Sequence, residues 1–283
     1  MRYVSESVFY DSIKILSLFI FLWGYICAEN NIQCLIDSGN IKSCFLNNGT
    51  LQLAGKGLQN LNGIENISNA ESIKIIDLSH NQIKSLNGSL FKRFTNLAEL
   101  LLNHNLIEQF TSLDGLNNLR ELHLTHNRLK IFDLEQFGAL SMLYVLNLGF
   151  NEISVIKISD NVISKNLDSK NLNSKNLNSK NLEMLFLNNN KIKELPANAF
   201  VACPNLQALY LQNNVINNLD SKSFRGLFNL SLLYLYDNFI TKLPVKIFMD
   251  LQHLHVLYLR NNNIQMFEKG WDAGIDELKI LDL

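Results

Sequence analysis

The side chains able to do chemistry in this chain of 283 residues are few, and their spacing says more than their types. His80, His104 and His126 each stand directly before an asparagine, and His123 lies close by. Imidazoles at a fixed interval on adjacent strands could ligate a metal or titrate near neutral pH. Further along, the same slot holds Asn189, Asn213, Asp237 and Asn261, which reads as a position open to any polar residue. Three exposed histidines with no carboxylate to orient them make a poor metal site. There is no Gly-rich phosphate loop, H-E-x-x-H, paired C-x-x-C or nucleophile elbow. The expectation is a chain that is not an enzyme and uses no cofactor and no metal.

Cysteines and sequons speak for a compartment. An apolar run from Ile15 to Ala28 follows Lys14 and ends in Ile26-Cys27-Ala28, so residues 1–28 read as a signal peptide. The run is short for a bilayer span, which takes about 20 residues, although Glu6 and Asp11 in the leading segment leave a signal anchor open. Nothing later resembles a transmembrane segment, so no membrane insertion is expected once the signal is removed. Cys34 and Cys44 then fall in an N-terminal cap, residues 29–50, where a disulfide is expected in an oxidising compartment. Asn48, Asn66, Asn87 and Asn229 head N-x-S/T sequons, so a secreted glycoprotein is expected. A net charge of −1 argues against a nucleic-acid partner, which would need clustered basic surface.

What must position these groups is a repeat. The pattern L-x-x-L-x-L-x-x-N runs through Leu97-Leu100-Leu102-Asn105, Leu119-Leu122-Leu124-Asn127 and Leu143-Leu146-Leu148-Asn151. It recurs with Asn190, Asn214, Asn238 and Asn262, and isoleucines carry it at Ile73-Ile76-Leu78-Asn81. The intervals from Asn81 onward are 24, 22, 24, 39, 24, 24 and 24 residues. This resembles the leucine-rich repeat family in its extracellular, roughly 24-residue subclass, over residues 51–283. The resemblance implies a β/α repeat solenoid: a right-handed, curved coil with a parallel concave β-sheet and a mostly irregular convex side.

Residue roles follow from the register. The leucines of L-x-L alternate inward while their neighbours face out. The ladder of Asn81, Asn105, Asn127, Asn151, Asn190, Asn214, Asn238 and Asn262 should hydrogen-bond backbone that has left the strands. Phe91, Phe137, Phe200, Phe224 and Phe248 stand ten residues after a motif asparagine and should form a spine along the back. Cys203 falls where other repeats place leucine, so it belongs in the core as a small hydrophobe.

Three departures stand out. The 22-residue interval lacks the spine phenylalanine and should have a tighter back. The 39-residue interval is fifteen residues longer than its neighbours, matched by KNLDS, KNLNS, KNLNS over residues 165–179, a polar insert expected to be a solvated loop. Leu278, Leu281 and Leu283 begin another motif, and the chain stops before its asparagine. That is expected of a shortened chain, or of an end through which copies assemble.

The central outward column of the sheet reads Phe186, Tyr210, Tyr234 and Tyr258 in the later repeats, with Tyr236 and Arg260 beside it. Earlier repeats put Asp77, Leu101, His123 and Asn147 there, next to Glu99 and Glu121. Tyr and Arg are enriched at binding hot spots. The expectation is an extracellular recognition module that takes a protein or glycan ligand on its concave face. The resemblance implies immune recognition, adhesion or signalling, as in Toll-like receptor ectodomains. The alternative is the ectodomain of a membrane-anchored receptor of the same family.

Overall fold

The computed structural model describes residues 34–37, 40–44, 49–158 and 180–283. The signal segment 1–28, Asn48 and the insert 165–179 lie outside them. Ten three-residue strands stack into one parallel sheet: Thr50–Gln52, Ile75–Asp77, Glu99–Leu101, Glu121–His123, Val145–Asn147, Met184–Phe186, Ala208–Tyr210, Leu232–Tyr234, Val256–Tyr258 and Ile280–Asp282. Each pairs only with its neighbours in sequence, so the chain climbs one coil per repeat as a solenoid of about nine turns. The register holds motif position on motif position, as in Leu209 on Leu233 and Leu233 on Leu257. It crosses the 39-residue interval unbroken, with Leu146 paired to Leu185. The insert therefore leaves the sheet ladder intact.

Why three residues suffice for a strand is clear from burial. The inward leucines Leu100, Leu122, Leu185, Leu209, Leu233 and Leu257 are fully buried between coils. No single coil could hide them, so stability comes from contacts between neighbours. After each strand the chain must turn sharply, and the residue before each motif asparagine adopts a left-handed backbone, with φ between 54° and 56° from His80 to Asn261. Asn, Asp and His tolerate that conformation better than other non-glycine residues. The slot is thus selected for its backbone, a narrower rule than general polarity.

The asparagine that follows ties coils together. Asn214 accepts from the Ile192 amide at 3.0 Å and donates to the carbonyls of Leu187 (2.9 Å) and Leu211 (3.0 Å). Asn81, Asn105, Asn127, Asn151, Asn190, Asn238 and Asn262 repeat the arrangement, each bonding its own coil and the one before. The convex side carries short strand pairs, such as Ile131–Asp133 with Val155–Lys157, and single 3-10 turns such as Gly88–Phe91 and Leu134–Phe137. Those turns are the whole helical part of the fold among the described residues. No helix there is long and apolar enough to cross a membrane.

The back is filled by rings. Phe91, Phe200, Phe224 and Phe248 are fully buried, and Phe224 stacks on Phe248 at 6.0 Å between centroids. Where the 22-residue coil lacks its phenylalanine, Phe110 on that coil's own convex strand, Gln109–Ser112, meets Phe137 of the next coil edge-on at 5.6 Å. Cys203 is completely buried, and burial pushes its thiol up to about 12, which leaves it protonated and inert.

At the N-terminal end an antiparallel hairpin, Cys34–Asp37 with Asn40–Cys44, lies on the first coil. Ile41 enters the core, and its amide donates to the Asn62 carbonyl at 3.1 Å. Contact is close enough to demand glycine at 63: φ is 92°, and a Cβ there would fall 1.9 Å from the Ile41 carbonyl oxygen. The register sets Cys34 directly opposite Cys44. Opposed residues of an antiparallel pair have Cα atoms about 4.5–5.5 Å apart, within disulfide range. Mass mapping of the non-reduced protein should therefore find a Cys34–Cys44 peptide pair and a free Cys203. A bond from Cys203 to either partner would contradict this reading.

Candidate functional site

Outward side chains of adjacent strands are spaced by the sheet at about 4.8 Å, close to the distance at which aromatic rings stack. The later repeats use this. Phe186 stacks on Tyr210 (4.3 Å, 6° between planes), Tyr210 on Tyr234 (4.9 Å, 16°) and Tyr234 on Tyr258 (5.0 Å, 29°). Tyr236 stands edge-on to Tyr234 and Tyr258, and the Arg260 guanidinium lies 4.9 Å above the Tyr236 ring. Met184 and Leu232, half-buried, extend the apolar flank beside Ala208 and Val256.

The stack changes what this surface offers. Ring faces are spent on one another, so Tyr234, only 9% exposed, belongs largely to the sheet surface. Phe186, Tyr210, Tyr236 and Tyr258 remain half-buried and Arg260 exposed. Burial raises the Tyr210 phenol above its ordinary range. Next to the stack, Gln212 Oε1 is buried with no hydrogen-bond partner among the described residues. The surface is a rigid ridge of ring edges, not a set of open faces on which a flat ligand could stack.

The earlier repeats build a different, acidic patch. Glu99 pairs in register with Glu121, and Leu101 with His123. Nε2 of the buried His123 is 3.2 Å from Glu121 Oε2, and the Tyr144 hydroxyl donates to the other oxygen of Glu121. Those hydrogen bonds hold Glu121 below the usual carboxylate range against the opposing effect of burial. Partial burial, then the Glu121 charge, raises Glu99. The sequence places Glu99 and Glu121 beside the column that holds His123, and the structure adds that their side-chain ends converge.

His80, His104 and His126 lie at the strand ends as a ladder of parallel rings, at 4.4 Å and 4.2 Å, and Phe150 continues it at 4.4 Å. Partial burial and its two neighbours lower His104. Phe150 is the departure from the rule for that slot: a bulky apolar residue held at φ 55° and 44% exposed. Its place at the end of the ring ladder is the compensation the structure offers.

A second asparagine ladder went unread in the sequence. The residue before the first motif leucine is Asn96, Asn118, Asn181, Asn205 or Asn229, and each donates to a carbonyl of the preceding coil, of Glu71, Thr95, Ser141, Lys180 and Pro204 respectively. Three of them line a shallow polar cleft of about 320 Å³ with Glu183, Gln207, Ser231 and His253. Its signal was the position itself, hidden by the overall abundance of asparagine. Of the sequon residues, Asn66 and Asn229 are exposed, while Asn87 is half-buried and its side-chain oxygen accepts from the Ser89 amide.

Known proteins agree with this architecture. A family model described as leucine rich repeat matches residues 71–129, 180–240 and 228–283. Lumican from Oryctolagus cuniculus is 32% identical over 134 residues, 47% of this chain and 59% of that protein. Human (Homo sapiens) lumican is 31% identical over 134 residues, 47% of this chain and 33% of its own length. The chain thus spans only part of the relatives it matches. Among solved structures, a TLR13–ssRNA13 complex superposes with a TM-score of 0.71 at 26% identity, over 83% of this chain and 32% of the other. A glycosylated Drosophila Toll–Spatzle complex does so with a TM-score of 0.63 at 25% identity, over 75% and 27%. The matched repeats, the stacked coils and these relatives establish that the chain belongs to the leucine-rich repeat family, in its extracellular type.

Proposed function

We propose that this protein is an extracellular recognition module whose concave face binds a protein or glycan ligand. One observation carries the reading: the four-ring stack with Tyr236 and Arg260 at its C-terminal end. A preformed, rigid aromatic ridge loses little conformational entropy on binding, which favours affinity. Likeness to lumican and to Toll structures supports a location outside the cell or at its surface. A membrane-anchored receptor would use the same face in the same way. The neighbour solved with single-stranded RNA makes RNA a partner to test. Against it, the strands carry outward carboxylates at Asp77, Glu99, Glu121 and Asp282, and phosphate would be repelled there.

The test is a screen of purified protein against secreted-protein and glycan arrays, with a single-stranded RNA probe alongside. Since Tyr234 is held within the stack, the informative truncations are Tyr236→Ala, Tyr258→Ala and Arg260→Ala. For a genuine ligand, loss of Tyr236 or Tyr258 should cost about 2 kcal/mol of affinity, as hot spots do, with the melting curve little changed. Lys222→Ala and Lys246→Ala on the convex side are the matched controls. Binding that survives the concave changes and fails with the lysines overturns the model.

A further inference from the structure

The acidic patch of the early repeats has the composition of a metal site, and this is independent of the aromatic ridge. Glu99, Glu121 and His123 each offer a ligand atom, and these atoms all lie within 4.8 Å of one another. Two adjacent strands fix them: Glu121 and His123 alternate to the same face of one, and Glu99 sits beside Glu121 on the next. His123 is 7% exposed, so its imidazole has little freedom. Glu121 is oriented by Tyr144, the kind of outer hydrogen bond that tunes metal ligands. The Glu99 carboxylate has no hydrogen-bond partner among the described residues, yet it faces a second carboxylate, with Asp77 adding to the same negative field. Glu99 thus stands beside a carboxylate that is already oriented and an imidazole that is already fixed.

We propose that Glu99, Glu121 and His123 bind a divalent transition-metal ion of the zinc class, with the remaining coordination position open to the concave face. One nitrogen and two carboxylate oxygens suit such ions, whose ligand bonds of about 2.0–2.2 Å require the three atoms to close in somewhat. Glu99 is the group that moves, being long, half-exposed and without another partner. The exposed ladder of His80, His104 and His126 is no rival: its rings are parallel at 4.2–4.4 Å, so their in-plane lone pairs do not converge on one point. From the Glu121–His123 strand to Phe186 is two strand spacings, about 10 Å. A metal-bound ligand group would therefore lie beside the ridge.

Zinc chloride titrated into the full chain by calorimetry tests this. The unaltered protein should bind one ion per chain at micromolar concentrations. Glu99→Gln, which removes no hydrogen bond and so leaves the fold intact, should weaken binding about tenfold or more. His123→Gln, with folding checked by circular dichroism, should abolish it. His104→Asn uses a residue the slot accepts in later repeats and should change nothing. Absence of binding at millimolar zinc, equal affinity in Glu99→Gln, or loss of binding in His104→Asn would each overturn the assignment.

Discussion

A chain carrying Phe224→Ala should lose about 3–5 kcal/mol of stability, the usual cost of deleting a fully buried aromatic ring. Phe224 is completely buried, stacked on Phe248, which in turn meets Trp271 edge-on at 6.2 Å. No helix covers the back of this coil, so the ring itself is what fills the space between the sheet and the convex side. The cavity would sit between two coils that touch only their neighbours. Urea melts should therefore show a lower midpoint together with a shallower slope, as the halves on either side begin to unfold separately. Met249→Ala, one residue beyond the spine and 52% exposed, should change stability by no more than about 0.5 kcal/mol. Equal losses at the two positions would mean that the phenylalanines do not form the structural spine.

Replacing Asn214 with alanine is expected to cost about 1–3 kcal/mol, by stranding groups that water cannot reach. The side chain is 4% exposed. Without it the Ile192 amide loses its acceptor, and the carbonyls of Leu187 and Leu211 lose a donor, so two coils are affected at once. Hydrogen exchange should locate the damage, with the Ile192 amide exchanging faster than in the unaltered chain. Asn218→Ala makes the same chemical change at an exposed convex position and should be close to neutral. If the two variants melt alike, the ladder does not hold the coils together.

Much of this was legible because the repeat is one-dimensional. A 24-residue period with leucines at fixed offsets settles which side chains face inward, and that alone placed Leu233 in the core, Tyr234 on the concave face and Cys203 behind the sheet. The hidden parts had the opposite character. Asn96, Asn118, Asn181, Asn205 and Asn229 were visible as letters, but their hydrogen bonds reach carbonyls 23 to 40 residues back. The slot of His80, Asn189 and Asp237 read as polar because a left-handed φ leaves no direct mark in sequence; it shows only through the residues that tolerate it.

By itself, then, the sequence determined the coil, its register and the direction of each side chain, since alternation along a strand and a constant repeat length leave no other way to bury the leucines. Only the tertiary structure decided how outward residues meet across coils. Strand spacing close to the stacking distance of rings makes Phe186, Tyr210, Tyr234 and Tyr258 cover one another, so the exposed aromatic stripe expected from their positions becomes a ridge of edges. The same lateral packing swings Glu121 toward His123 and sets Glu99 beside them, joining residues that the pattern assigns to separate columns. Periodicity specifies which face a side chain occupies, whereas its rotamer and its partners one coil away come into being only when the coils stack.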